Sequence, residues 1–227
     1  ILFLILLASL FFFQIKKQQS EYHKNELQVW ASMKEGITYI YRTKEILGAL
    51  CLDMFAVLFG GAVAMIPVFA SDILKVGADG FGILNAASDI GSMMIIVTLS
   101  FIPLRKNQGK ILIGVVAGFG LCIIGFGLSK LYWLSFLFLM LSGIFDGISV
   151  VIRGTIVQLK TPDHIRGRVM SANSIFIMSS NEMGQFESGV AAKLLGVVRS
   201  VVFGGTMTVL IALFVGKFVP KLRKMEY

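Results

Sequence analysis

Charge is scarce in this chain: Asp, Glu, Lys and Arg make up 15% of the 227 residues, where a soluble domain carries about a quarter. Cysteine and histidine are scarcer still, with two of each. Cys51 and Cys122 both fall inside apolar runs, which gives neither a disulfide framework nor metal-ligand spacing. His23 and His164 lie in polar gaps, away from any plausible nucleophile, so no Ser/His/Asp set can be assembled. An enzyme is therefore not expected, and neither is a cofactor or a metal. Low-complexity tracts are missing too, and there is no long stretch suited to an extramembrane domain.

Hydrophobic residues fill that space. They make up 56% of the chain, and its mean hydropathy is +0.82. The first 13 residues form an apolar run with no initiator Met. As a helix it would extend only ~20 Å, short of the ~30 Å hydrocarbon core. A basic n-region and a small-residue cleavage site are both missing, which argues against a signal peptide. The expectation is a chain entered near the end of a membrane span. Six further spans are predicted at 46–70, 81–104, 111–128, 131–151, 169–194 and 197–219, the fifth being the least apolar.

The net charge of +8 does not mark a nucleic-acid binder, because the basic residues form no single face. They sit between the apolar runs. With Lys16 to Lys44 placed in the cytoplasm, 17 of the 21 Lys and Arg fall on that side and 4 on the other. This bias predicts a cytoplasmic C-terminus. The expected surroundings are a lipid bilayer, with no nucleic-acid partner.

Ionisable groups inside a span are costly and mark function by default. Asp53 lies in the first of the six spans, where a carboxylate reaching water at the interface is the plainer alternative. Asn85 and Asp89 share a helix face with Ser88 and Ser92, a polar stripe expected to point into the bundle. Asp146 and Arg153 lie on one face about 10 Å apart, so each is expected to pair with another helix. Arg153 is also near enough to the interface to snorkel. The fifth span carries Ser171, Ser174, Met178, Glu182, Gln185 and Ser188 at spacings of three or four, with Asn181 beside them and Glu187 off the stripe. Such a helix suits the wall of a wet cavity. Glu182 is the foremost candidate for coupling or substrate contact.

Two connectors stand out. In residues 24–44, Leu27, Trp30, Ile37 and Tyr41 recur at helical spacing among basic residues, which fits a helix in the cytoplasmic interface or a solvated linker helix. The loop 161–168 reads TPDHIRGR. There Thr161 is a candidate cap and Pro162 suits a first helical position, with Asp163 at the positive helix end. Arg166 and Arg168 are expected to anchor that end or to latch onto carboxylates of a neighbouring helix. Gly114 and Gly118, and Gly143 and Gly147, are spaced for close helix packing. Gly60, Gly61 and Pro67 allow the first span to bend.

Four stretches carry a resemblance: KEGITYIY at 34–41, MIPVFASD at 65–72, QLKTPDHIRGRVMS at 158–171 and NEMGQFESG at 181–189. Together they resemble the C-terminal half of a major facilitator superfamily transporter, in the branch that holds the enterobactin exporter and macrolide-efflux-like proteins. The resemblance implies an all-α membrane protein of twelve spans in two six-helix halves, the N-terminal half being absent here. It implies that residues 1–14 end span six, 15–45 form the central cytoplasmic loop, 46–219 hold spans seven to twelve, and 220–227 form a tail. It further implies a bacterial inner membrane, alternating access, and a site between the halves near the midplane. The family's usual loop motif between spans eight and nine, with an Asp before basic residues, is degraded here, since Pro103-Leu104-Arg105-Lys106 has the basic residues without the Asp. Gln185 stands where a Glu is expected in similar exporters.

The expected function is proton-driven efflux of an amphipathic small molecule, a siderophore or a drug-like compound. Asp89, Asp146 and Glu182 are the foremost coupling candidates, with Asn85, Asn181, Gln185 and Asp53 beside them. Arg153, Arg166, Arg168 and Asp163 are candidates for the cytoplasmic gate. A non-transporting scaffold or receptor of the same fold, and a lipid-moving transporter, are the alternatives.

Overall fold

A computed structural model describes residues 26–219 apart from 103, 105 and 106. The expected end of span six at 1–14 and the tail at 220–227 lie outside these residues. The chain divides into two units, 1–31 and 32–227. The described part of the first is the opening of helix α1, which spans Glu26–Arg42. Everything that follows concerns the second unit.

Among the described residues the structure is helix and turn, without a strand. Thr43 breaks the chain with an extended backbone, and α2 (Lys44–Gly60) follows at once. Next come α3 (Ala78–Phe101), α4 (Gln108–Leu128), α5 (Tyr132–Lys160), α6 (Arg166–Leu195) and α7 (Val197–Phe218). The first expected span is not one helix. After Gly60 the chain tightens into a 3-10 turn at Ala62–Met65, resumes over Ile66–Val68 with Pro67 in its first turn, and widens into a π-helical turn at Phe69–Ile73. The helix thus changes form where Gly60, Gly61 and Pro67 were expected to let it bend.

Five helical stretches are long and apolar enough to cross a membrane: Lys44–Ile73, Ala78–Phe101, Gln108–Leu128, Tyr132–Lys160 and Val197–Phe218. The predicted fifth span, now α6, is long enough at 30 residues, but it is too polar to qualify on composition. Helix α5 also corrects its expected end, running on to Lys160 rather than stopping at 151. Arg153 and Lys160 therefore belong to a helix and not to a connector.

Glycines set the helix contacts. A Cβ at Gly143 would collide with the carbonyl of Ser88, which brings α5 backbone against α3. One at Gly204 would collide with the carbonyl of Phe59, joining α7 to α2. One at Gly184 would stand 2.6 Å from the Val57 carbonyl oxygen, joining α6 to α2. Close approach at small residues is how helices associate where lipid offers no hydrophobic drive. Of the two expected glycine pairs, Gly143 and Gly147 both pack on α3, whereas Gly114 meets nothing and Gly118 takes the ring of Phe145. Apolar clusters fill both ends. One gathers Ile46, Leu50, Leu112, Ile156 and Val169 near the end where α2 and α6 begin. The other gathers Ile66, Phe69, Leu84, Phe126 and Leu139 at the opposite end. We call the first the basic end.

The residues of α1 that meet the bundle lie beside the large apolar face, which was expected to meet the membrane interface or solvent. Ile37 and Tyr41 are exposed, while Gly36 and Ile40 are buried. Gly36 lets this neighbouring face, about 100° round the helix from Ile37 and Tyr41, come close to the bundle. Leu27 and Trp30 belong to the other unit.

Candidate functional site

Helices α2, α3, α4, α5 and α6 line a half-open cavity of about 510 Å³ between the two apolar clusters. That volume falls within the ~300–1,000 Å³ of small-molecule sites. From α2 and its break come Asp53, Val57, Gly60, Gly61 and Val63. Ser88 enters from α3 and Phe119 from α4. Helix α5 contributes Asp146, Val150 and Arg153, and α6 contributes Ile177, Asn181, Glu182 and Gln185.

The cavity is built around Arg153, which is 6% exposed. One terminal nitrogen pairs with Oδ2 of Asp53, itself 6% exposed, across the α2–α5 contact. Its other terminal nitrogen, Nη2, stands 3.9 Å from Oδ1 of Asp146. Its Nε donates to the hydroxyl of Ser149 at 3.2 Å and to the Ser149 carbonyl at 3.3 Å, one helical turn back. All three nitrogens of the fork thus face an acceptor, as suits a buried guanidinium. The side chain of Asp146 is 43% exposed and opens into the cavity.

This corrects three expectations. Arg153 does not snorkel but lies inside the bundle. Asp53 does not reach water at an interface, since it sits two turns into α2 and is sealed by its partner. Arg153 does pair with another helix, as expected, but Asp146 stands near Arg153 of its own helix instead, because the long Arg side chain covers most of the separation between their backbones.

The stripe on α6 is divided. Ser188 turns into the bundle and is buried, whereas Asn181, Glu182 and Gln185 line the cavity. Glu182 also lines a second, nearly apolar groove of about 710 Å³ formed by α6 and Leu58, with Met183, Phe186, Glu187, Val190 and Leu194. Glu187 makes no ion pair with Lys193 or Arg199 among the described residues. The stripe expected on α3 does not close into the bundle. Asn85 and Asp89 are exposed and away from the cavity, and only Ser88 lines it. Ser92 turns inward, donating to the Gly143 carbonyl at 2.8 Å. The glycine contacts pull that edge of α3 onto α5 and leave the next edge outside.

At the basic end, Asp163 and Arg166 pair at 2.5 Å within one turn. Arg168 pairs with Glu35 of α1, so a latch to a neighbouring helix is present. Thr161 does not cap α6. Its hydroxyl donates back to the Val157 carbonyl at 2.5 Å, closing α5, and α6 begins only after a 3-10 turn at Asp163–Ile165.

A family model described as transmembrane secretion effector, within the major facilitator superfamily, matches residues 1–227. The chain belongs to this family. It is a multi-pass, all-α membrane protein of a transporter fold. No curated protein and no solved structure matches it. Membership of a transporter family accords with a cavity whose polar groups come from four helices.

Proposed function

We propose that this chain is the C-terminal six-helix half of a twelve-span exporter, similar to enterobactin exporters and macrolide-efflux proteins, and that it uses the proton gradient to expel an amphipathic small molecule. In this reading residues 1–14 end span six, 15–45 form the central loop, and 46–219 hold spans seven to twelve. The membrane is a bacterial inner membrane. The basic end faces the cytoplasm, as the charge bias of 17 to 4 favours.

One observation carries the reading: a single buried Arg shared by two carboxylates in a cavity of drug-like size. Isolated charges in a low-dielectric bundle are costly, so the protonation state of Asp53 or Asp146 decides where the Arg153 guanidinium rests. A proton on Asp53 releases Arg153 toward Asp146. A proton on Asp146 leaves the Asp53 pair in place and lowers the negative charge facing the cavity. Glu182, without an ion-pair partner on the described residues, is the group a cationic or hydroxyl-rich substrate meets. Rocking of two halves about the cavity then exposes it to each side in turn.

The test is reconstitution of the full-length protein in liposomes containing a pH-sensitive dye, with an imposed proton gradient. Addition of a catecholate siderophore or a macrolide should accelerate proton movement, and Asp146→Asn should remove the acceleration. Proton movement indifferent to both compounds and to the substitution would refute the reading.

The apolar groove beside Glu182 favours a second reading. A headgroup in the polar cavity with acyl chains along Met183, Phe186 and Leu194 would suit a lipid-moving transporter. Movement of a labelled phospholipid between leaflets in the same liposomes would select it.

A further inference from the structure

We propose that α1 is an internal strap that fastens the α5–α6 corner to the start of α2 and thereby controls opening of the cavity at the basic end. Three contacts lie on one face of α1. At Gly36 the helix backbone meets the first turn of α6: a Cβ there would stand 2.5 Å from the Arg168 carbonyl oxygen and 3.2 Å from the Val169 nitrogen. Beside it, Glu35 pairs with the Arg168 guanidinium. One turn on, the Tyr39 hydroxyl donates to the carbonyl of Lys160, the last residue of α5. That carbonyl belongs to a helix end, where no intrahelical donor is available. Ile40, on the same face, is buried in the apolar cluster that also holds Ile46, Ile156 and Val169.

The strap therefore bridges the short turn between α5 and α6. Its other end is fixed. Thr43 accepts from the Leu47 N–H and donates its own N–H to the Tyr39 carbonyl, so α1 passes into α2 through one kinked residue. The three helices it joins carry the cavity's charged groups: α2 has Asp53, α5 has Asp146 and Arg153, and α6 has Glu182. With the strap engaged, the basic ends of these helices move as one body. With it released, the basic end of α6 is free to swing away from α2, uncovering Ala172 and widening the cavity from that end.

The test needs no substrate and so stands apart from the export reading. It uses the full-length protein in detergent micelles, with every native cysteine, Cys51 and Cys122 included, replaced by Ala and a reporter introduced as Ala172→Cys, a buried position of α6 in the basic-end cluster. The readout is the rate of labelling by a soluble maleimide. Arg168→Glu and Gly36→Val should each raise that rate severalfold. The charge swap Glu35→Arg with Arg168→Glu should return it to the parent value. In a second variant without the reporter, Glu35→Cys and Arg168→Cys should be joined quickly by a short thiol cross-linker. Labelling unchanged by both single substitutions, failure of the swap to restore it, or absence of the cross-link would each overturn the proposal. Recovery by the swap also separates the strap from a general loss of folding.

Discussion

Arg153 on α5 pairs with Asp53 on α2 through one terminal nitrogen, while the other stands 3.9 Å from Asp146 on its own helix. The arrangement is asymmetric. The Asp53 side is sealed, and the Asp146 side faces the cavity. A guanidinium so placed ties two helices together and at the same time sets the charge that a ligand meets.

Removing one member of this pair leaves the other as an uncompensated buried charge, at a cost of about 3–5 kcal/mol. Arg153→Gln should therefore lower the melting temperature of the purified full-length protein clearly. Asp53→Asn should cost less, since Arg153 can turn to Asp146. The double variant should be more stable than Arg153→Gln alone. Melting curves of the three in one detergent decide it, and strictly additive losses would show that the pair is not coupled.

The spans were legible because apolar runs of spanning length have few other uses, and the polar side of α6 was legible because its spacing is helical. The pairing of Asp53 with Arg153 was not, since nothing in one sequence says which helices touch. The opposite fates of Ser88 and Asp89 were hidden for the same reason: the docking edge of α3 is set by Gly91 and by Gly143 and Gly147 of α5. On α1 the docked face was not legible, because Gly36, the smallest residue, marks it, while the large apolar residues lie on the face beside it. Small residues at a closely packed interface carry the signal that a search for hydrophobic stripes passes over.

Glycine substitutions should therefore split into two classes. A methyl at Gly143 or Gly204 meets a carbonyl of the facing helix, a backbone atom with no rotamer to yield. Gly143→Ala and Gly204→Ala should each lose about 1–3 kcal/mol or more by overpacking. Gly114 and Gly154 meet nothing within 4 Å. Gly114→Ala and Gly154→Ala should be neutral, or should gain up to ~1 kcal/mol from helix propensity. Thermal unfolding of the four variants checks the division, and a loss at Gly114 as large as at Gly143 would contradict it.

Thr208 on α7 gives a finer test. Its buried hydroxyl lies 3.0 Å from the Gly204 carbonyl and 3.2 Å from the Ala56 carbonyl of α2. A hydroxyl has one proton, so it alternates between the two acceptors. Interhelical hydrogen bonds in membranes average about 0.6 kcal/mol, so Thr208→Val, which keeps the shape, should lower stability by no more than ~1 kcal/mol. Thr208→Leu, which adds bulk beside Gly60, should cost more. Comparing the two separates the hydrogen bond from the packing.

The two acids that face the cavity, half-buried Asp146 and exposed Glu182, should divide the work of transport. Asp146 lies within reach of Arg153, so its charge is coupled to the pair that joins α2 and α5. Glu182 makes no ion pair among the described residues and stands where the polar cavity meets the apolar groove. In the reconstituted full-length transporter, Asp146→Asn should lower turnover and flatten its dependence on the proton gradient, with little change in KM. Glu182→Gln should instead raise KM about tenfold or more for a cationic substrate, equivalent to ~1.4 kcal/mol of binding, and leave the gradient dependence intact. The reasoning is that losing a group which touches only the ligand weakens binding in every conformation. Losing a group tied to a helix-bridging pair changes how the conformations exchange. Measured KM and turnover at two imposed gradients would give the answer, and a reversed pattern would assign the proton to Glu182.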